Sequence, residues 1–95
     1  MTLTKHGVQR TRERLGIPKR AVERMAERAY RHGVERSQFS GSLRRYLDAH
    51  FHNHAQNADN MRVYGEHLFV FAGETLITAW MLPNEYRSAA RRAAA

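Results

Sequence analysis

The chain has 95 residues, with 16 Lys and Arg against 9 Asp and Glu, a formal net charge of +7 and no cysteine. This length predicts one small domain, and the lack of thiols excludes a disulfide framework, a thiolate metal site and a cysteine nucleophile. The basic surplus predicts attraction to polyanions, whether nucleic acid, an acidic protein surface or anionic lipid. We expect a soluble, cytoplasmic protein, because Lys5 and Arg10 stand where a signal peptide needs an apolar run and no stretch approaches the ~20 apolar residues that span a bilayer.

Two amphipathic helices are predicted in the first third of the chain. Thr4 can cap a first short helix that ends near Leu15, where Gly16 supplies a stop. A second helix over about 18–32 carries an apolar stripe at helical spacing and ends at Gly33. Each helix therefore has one face suited to a core.

The segment 42–54 is ambiguous from its sequence. The spacing of the apolar residues suggests a third helix through about His54, although LRRYLDAHFHNH can also be read partly as a strand; these residues are Leu43, Tyr46, Leu47 and Phe51. The polar stretch HNHAQNADN that follows predicts a loop into the second half of the domain.

Two Gly-Glu dipeptides separate three strand-like runs, MRVY, HLFVFA and TLITAWML. Glycine at the first central position suits a type II′ two-residue hairpin, so the pattern predicts an antiparallel meander. We therefore expect an α+β domain over residues 1–86, with two or three N-terminal helices packed on a three- to four-stranded antiparallel meander. The low-complexity tail RSAARRAAA, residues 87–95, is predicted to be frayed or disordered.

Two-residue turns also fix which side chains share a face of the sheet. One predicted face is aliphatic and must be core. The other collects aromatic and proton-exchanging side chains in two cross-strand rows, Tyr64/His67/Trp80 and Arg62/Phe69/Thr78. Such a face could stack a base, hold a phosphate and move a proton, as RNA binding or cleavage requires. A second packing layer would explain the same residues.

A polar stripe on the first helix is the second candidate site. It consists of His6, Arg10, Glu13 and Arg14. The stripe could bring an imidazole and guanidinium groups to a scissile phosphate. A solvated helix face with an ordinary Arg–Glu pair explains the same spacing. If Val8 and Leu15 face the core, His6 and Arg10 point outward, and the first helix cannot form a site together with the polar-aromatic face of the sheet.

Further basic residues on the second and third helices predict a surface that holds phosphates without base specificity. They include Arg20, Arg24, Arg44 and Arg45. His50, His52 and His54 suggest a metal site, but on a helix only His50 and His54 share a face and no convincing fourth ligand follows. We therefore predict a polar helix end, with no metal and no cofactor.

The chain resembles small bacterial and phage proteins of the RelE-like ribonuclease superfamily in three features. These are the opening TKHGVQRTRERLGIPKRAVERM with its H-x3-R-x2-E-R pattern, a second helix, and hairpin strands ending in LITAWMLP. That superfamily groups barnase, EndoU, colicin and RelE-type toxins. The resemblance covers about residues 4–82 and implies metal-independent RNA cleavage, in which the ribose 2′-hydroxyl attacks the adjacent phosphate. It implies site roles for His6, Arg10 and Thr78. The long, histidine-rich segment 36–60 stands where the family would have an early strand.

The leading functional hypothesis is an RNA-binding, metal-independent endoribonuclease of the toxin type. Its candidate acid–base pair is His6 and His67. Arg10 and Arg62 would stabilise the phosphorane. Tyr64 and Trp80 would stack bases. The alternatives are a non-catalytic nucleic-acid-binding regulator and a phage-type inhibitor of a host defence nucleoprotein. RNA is the expected partner, an antitoxin or host nucleoprotein is a further candidate, and no membrane is expected.

Overall fold

The computed structural model describes residues 1–54 and 59–94. The elements, in chain order, are α1 (Lys5–Leu15), α2 (Lys19–His32), β1 (Val34–Glu35), a single 3₁₀ turn (Arg36–Gln38), α3 (Gly41–His54), β2 (Asn60–Tyr64), β3 (His67–Ala72), β4 (Thr75–Met81) and α4 (Asn84–Ala94). The four strands form one antiparallel sheet in the order β1-β2-β3-β4. The predicted α+β class is therefore confirmed. Among the described residues, no helix is long and apolar enough to cross a membrane.

The ends of α1 follow from the residues that flank it. The Thr4 hydroxyl accepts a hydrogen bond from the Gly7 backbone N–H at 3.0 Å, which satisfies one of the unpaired donors of the first turn. At the other end Gly16 adopts the left-handed conformation, with φ +66°, and its N–H donates to the Arg12 carbonyl. The predicted cap and stop are both confirmed.

The ambiguous segment forms the helix α3. Leu43 and Leu47, one turn apart, are buried on the same side of it. Strand pairing would have placed them on one face too, so only packing decides between the two readings. The predicted loop HNHAQNADN falls largely on residues 55–58, which lie outside the described residues.

The resemblance places an early strand within 36–60. The structure has instead the two-residue strand β1, which precedes that segment. Val34 pairs with Val63 and Glu35 pairs with Arg62. These two pairs make β1 the fourth strand of the sheet and leave residues 41–54 to α3.

Both Gly-Glu turns take the predicted form. Gly65 and Gly73 have φ of 62° and 57°, and no described non-glycine residue has a positive φ. In a type II′ turn only the first central residue has a positive φ, whereas in a type I′ turn both central residues have one. Each turn closes on the expected pair, Tyr64 with His67 and Ala72 with Thr75.

One irregularity in β4 alters the predicted faces. Val70 pairs with Thr78, but the next residue of β3, Phe71, pairs with Leu76. Ile77 is therefore an extra residue on β4, which is a β-bulge. Because side chains alternate along a strand, one inserted residue reverses the face of every β4 residue that follows it.

The predicted cross-strand rows are consequently wrong at their third members. The pairs Tyr64/His67 and Arg62/Phe69 form as expected. The rows are completed by Met81 and Ala79, whereas Trp80 pairs with Leu68 and Thr78 with Val70 on the opposite face.

Helices cover both faces of the sheet. We call front core the apolar cluster of α1 and α2 against one face: Val8, Val22, Ala26, Ala29, Phe69, Phe71, Leu76 and Ala79. We call back core the cluster of α3 and α4 against the other: Phe39, Leu43, Leu47, Met61, Val63, Leu68, Val70, Leu82 and Ala90. The second packing layer therefore accounts for the buried phenylalanines of the predicted aromatic face.

The predicted frayed tail is instead most of α4. Ala90 is buried in the back core, and the Arg87 side chain donates to the Leu82 carbonyl at 2.9 Å. Arg91 also forms an ion pair with Glu66 in the β2–β3 turn. Apolar contact on one side and these polar contacts order a segment whose composition alone predicts disorder.

Candidate nucleic-acid interface

Helix α1 lies along the free edge of β4. The chain first adds Thr2 to that edge, since the Leu76 N–H donates to the Thr2 carbonyl at 3.0 Å and the Thr2 N–H donates to the Glu74 carbonyl at 2.7 Å. The helix then passes so close that a Cβ added at Gly7 would lie 2.2 Å from the Leu76 carbonyl oxygen. Glycine at this position is what permits the contact.

The apolar side of α1 faces the front core, as the sequence predicts. Val8 is 6% exposed and Leu15 packs against the same cluster. Thr11 is also buried, with its hydroxyl donating to the Gly7 carbonyl at 2.9 Å. His6 and Arg10 are accordingly exposed and point away from the core, so α1 does not form the expected site together with the polar-aromatic face of the sheet.

His6, Arg10 and Arg14 form one row, which we call the α1 ridge. Successive members are four residues apart, so they are offset by about 40° around the helix and about 6 Å along it. At the end of the row the Arg14 guanidinium carbon lies 4.2 Å from the centroid of the Trp80 ring. This contact places the end of the ridge beside the back face of β4, to which the bulge has turned Trp80.

Trp80 belongs to a group of rings from three elements, which we call the Trp80 cluster. Its ring centroid lies 5.0 Å from that of His50 on α3. The His50 Nε2 atom is 3.0 Å from the Tyr46 hydroxyl, and the Tyr46 ring lies 4.9 Å from Tyr86 on α4. Burial, followed by the neighbouring Tyr86, raises the pKa of the Tyr46 hydroxyl, so that hydroxyl stays protonated at neutral pH.

The ridge has no acidic counterpart within the described part of the chain. Both of its arginines are exposed and make no ion pair there. The acid of the predicted stripe, Glu13, accepts a hydrogen bond from Gln9 at 3.3 Å, and the expected pair with Arg10 does not form. The outer side of α1 is therefore a row of unneutralised cations next to a histidine.

The structure does not bring His6 and His67 together. His6 precedes Gly7, which contacts Leu76, whereas His67 pairs with Met81. Five residues of β4 separate these two levels, or about 16 Å at ~3.3 Å per residue. Burial lowers the pKa of His67, with a smaller opposing effect of Glu66. This separation is too large for His6 and His67 to act on one phosphate, so the expected acid–base pair does not form.

Arg62 and Tyr64, which the sequence predicts as site residues, both make contacts within the fold. The Arg62 side chain binds the Glu35 carboxylate at 3.1 Å, the Asn60 side-chain oxygen at 2.9 Å and the Gly33 carbonyl at 3.4 Å. It thereby fixes β1 to β2. Tyr64 packs against the front core.

Arg44 is likewise committed within the fold. It and Arg36 both bind the Asp48 carboxylate, and Arg44 also donates to the Ser37 and Phe39 carbonyls. The hydrogen bond from Arg36, and then that from Arg44, lowers the pKa of Asp48 below its ordinary value. The other predicted phosphate-binding arginines remain exposed: Arg20, Arg24 and Arg45.

Thr78 is brought to the back face but is 3% exposed. Its hydroxyl has no hydrogen-bond partner among the described residues. An unsatisfied buried hydroxyl is uncommon in proteins, so an apolar side chain of the same shape at this position would lose no hydrogen bond to a described residue.

The histidines of α3 do not form a metal cluster in the part of the chain that the structure describes, where no three His, Cys, Asp or Glu side chains are close enough to hold an ion. His52 is exposed, and the side chain of His54 lies outside the described residues. His50 instead joins the Trp80 cluster.

Three members of this cluster were missed from the sequence: His50 as a site residue, Tyr46 and Tyr86. The spacing of four between Tyr46 and His50 was a usable signal, because it places the two rings on one side of a helix. Their meeting with Trp80 depends on the bulge at Ile77 and leaves no mark in the hairpin pattern.

Comparisons with protein-family models, with curated proteins and with solved structures find no match. The resemblance to RelE-like ribonucleases accordingly stays an expectation from the sequence. The geometry of the α1 ridge and the Trp80 cluster is what carries the functional argument.

Proposed function

We propose that the protein binds RNA along the α1 ridge and cleaves it by a metal-independent transesterification. One observation carries the proposal. The exposed, unneutralised row of His6, Arg10 and Arg14 ends against the Trp80 ring. Cations for phosphate, an imidazole for proton transfer and a planar group for a base therefore lie along one ridge.

Arg10 and Arg14 are the phosphate ligands in this proposal. A guanidinium donates to two phosphate oxygens at once and keeps its charge at every physiological pH. No described carboxylate competes for either arginine. The same donors would stabilise the extra negative charge of a pentacovalent phosphorane.

His6 is the proton-transfer group, since it is exposed and stands one turn, about 6 Å, from Arg10. In the reaction a base removes the proton of the ribose 2′-hydroxyl, the oxygen forms a bond to phosphorus, and the bond to the 5′-oxygen breaks as an acid protonates it. The products are a 2′,3′-cyclic phosphate and a 5′-hydroxyl end. His6 would fill one of these two roles and water the other, because the His50 ring is half-buried, with its Nε2 atom hydrogen-bonded to the Tyr46 hydroxyl and its Nδ1 atom buried.

The test is incubation of purified protein with unstructured RNA in EDTA, followed by analysis of the product ends. We expect cyclic phosphate termini, a loss of rate of about 10²-fold or more for His6→Ala, and a smaller loss for His50→Ala, which removes a packed ring of the Trp80 cluster. His52→Ala is the matched control on the exposed side of α3. Absence of cleavage, or equal rates for all four proteins, would refute the catalytic part.

A non-catalytic RNA-binding protein is the second candidate. The observation in its favour is that His50, Tyr46 and Tyr86 are all half-buried and pack against the back core, a role that needs no chemistry. Salt-dependent binding to RNA with no product in EDTA or in Mg²⁺ would select this candidate.

A further inference from the structure

We propose that the site selects single-stranded RNA by stacking an unpaired nucleobase on the outer face of the Arg14 guanidinium. This inference rests on the proposed RNA binding and adds the substrate class and the residue that recognises it. The sequence instead predicts that a base stacks directly on Trp80.

The position of Trp80 argues against an open indole platform. The Arg14 guanidinium covers the ring at 4.2 Å, the His50 ring lies at 5.0 Å, and the residue is half-buried. A base could reach the indole only after one of these neighbours moved. The accessible planar group at this place is therefore the guanidinium itself.

Trp80 prepares Arg14 for this role. A guanidinium has two faces, and contact with an aromatic ring on one of them restricts its rotation while leaving the other face to solvent. Arg14 is exposed, as that geometry requires. A base that stacks there would extend a continuous column of base, guanidinium and indole.

Only an unpaired base can complete such a column. In a duplex each base is already stacked on both sides and paired at its edge, whereas single-stranded RNA can splay its bases onto planar side chains. Arg10, one turn away on the ridge, would hold an adjacent phosphate. The pair would thus read a backbone and one unpaired base without reading its identity.

The experiment uses the fluorescence of Trp80, the single tryptophan of the chain, as a probe inside the site. The full-length protein is titrated with three 2′-O-methyl RNAs that cannot be cleaved by 2′-hydroxyl attack: a 12-nucleotide single strand, the same strand in a duplex, and the same strand with abasic positions. Fluorescence anisotropy of labelled RNA gives the Kd in parallel.

We expect the single strand to bind about tenfold more tightly than the duplex or the abasic strand and to change Trp80 fluorescence more. Arg14→Lys keeps the charge but not the plane, so it should weaken single-strand binding by about tenfold and leave duplex binding unchanged. Arg31→Lys, on α2 and paired with Glu27, is the matched control and should bind as the wild type does.

The results that would contradict the stacking inference differ from those that would contradict RNA binding. Equal affinity of the wild type for all three RNAs, or a full single-strand preference in Arg14→Lys, would overturn the stacking inference while leaving RNA binding intact. No binding of any of the RNAs at low salt would overturn RNA binding itself, and the stacking inference with it.

Discussion

Thr78 is a buried residue whose hydroxyl has no hydrogen-bond partner among the described residues. Thr78→Val keeps the shape and removes the unsatisfied group, so we expect the free energy of unfolding to rise by about 1 kcal/mol. Thermal melts would show this as an increase in Tm of several degrees. A fall in Tm would mean that the hydroxyl makes a favourable contact.

The same variant tests whether Thr78 serves the site. RNA cleavage is measured beside the melt, with wild type as reference. Loss of cleavage in a protein of equal or greater stability would retain Thr78 as a site residue, whereas full cleavage would remove it. A buried group that costs stability and is needed for activity is a recognised trade-off in enzymes.

Asp48 makes the clearest pH-dependent contribution to stability. Its folded-state pKa is lowered by Arg36 and Arg44, so its contribution is present above the unfolded pKa near 3.8 and is lost as pH falls through the folded value. We expect Asp48→Asn to lower Tm at pH 7 and the difference from wild type to shrink below about pH 4. Glu74→Gln, in the exposed β3–β4 turn, is the control. A difference that stays constant down to pH 2.5 would contradict this explanation.

At the scale of elements, the packing of α1 against β4 positions the ridge. Gly7→Ala would put a methyl group 2.2 Å from the Leu76 carbonyl oxygen, and backbone cannot move aside as a flexible side chain can. We expect a loss of about 1–3 kcal/mol in the free energy of unfolding, measured by urea denaturation. Gln9→Ala on the exposed side of α1 should change it little. Equal stability of the two variants would show that α1 does not lie against β4 this closely.

The elements that could be predicted are those set by local rules. The Thr4 cap, the Gly16 stop and both type II′ turns each depend on a few adjacent residues, and all four are confirmed. The bulge at Ile77 could not be predicted, since no glycine or proline marks it and the hairpin turns on their own predict an uninterrupted register. The order of the α4 tail likewise depends on contacts far along the chain.

The site was predictable in part for the same reason. The polar stripe of α1 follows from helical spacing, and its exposed side is where the sequence places it. Its neighbour was predicted on the wrong face, because a single inserted residue carries Trp80 from the row with His67 to the side with His50. A register error of one residue thus placed Trp80 beside the wrong histidine in the prediction.

At the scale of the whole molecule, the charge of +7 should make RNA binding strongly dependent on salt. For single-stranded RNA, the slope of log K against log salt concentration changes by about 0.7 for each phosphate contact. We expect Arg10→Ala to reduce the slope by about this amount and Arg31→Ala, whose guanidinium is already paired with Glu27, to leave it unchanged. The same slope for all three proteins would mean that general charge, and not the ridge, holds the RNA.

The central claim is that RNA lies on the α1 ridge, and an NMR titration of ¹⁵N-labelled protein with an uncleavable single strand tests it most directly. We predict that the largest chemical-shift changes fall on the amides of His6, Arg10 and Arg14 and on the Trp80 indole N–H. Arg12 lies on the opposite side of α1, where it lines a groove with Ile17, and its amide shift should change least. Changes centred on that groove or on α4, with the ridge unaffected, would contradict the account.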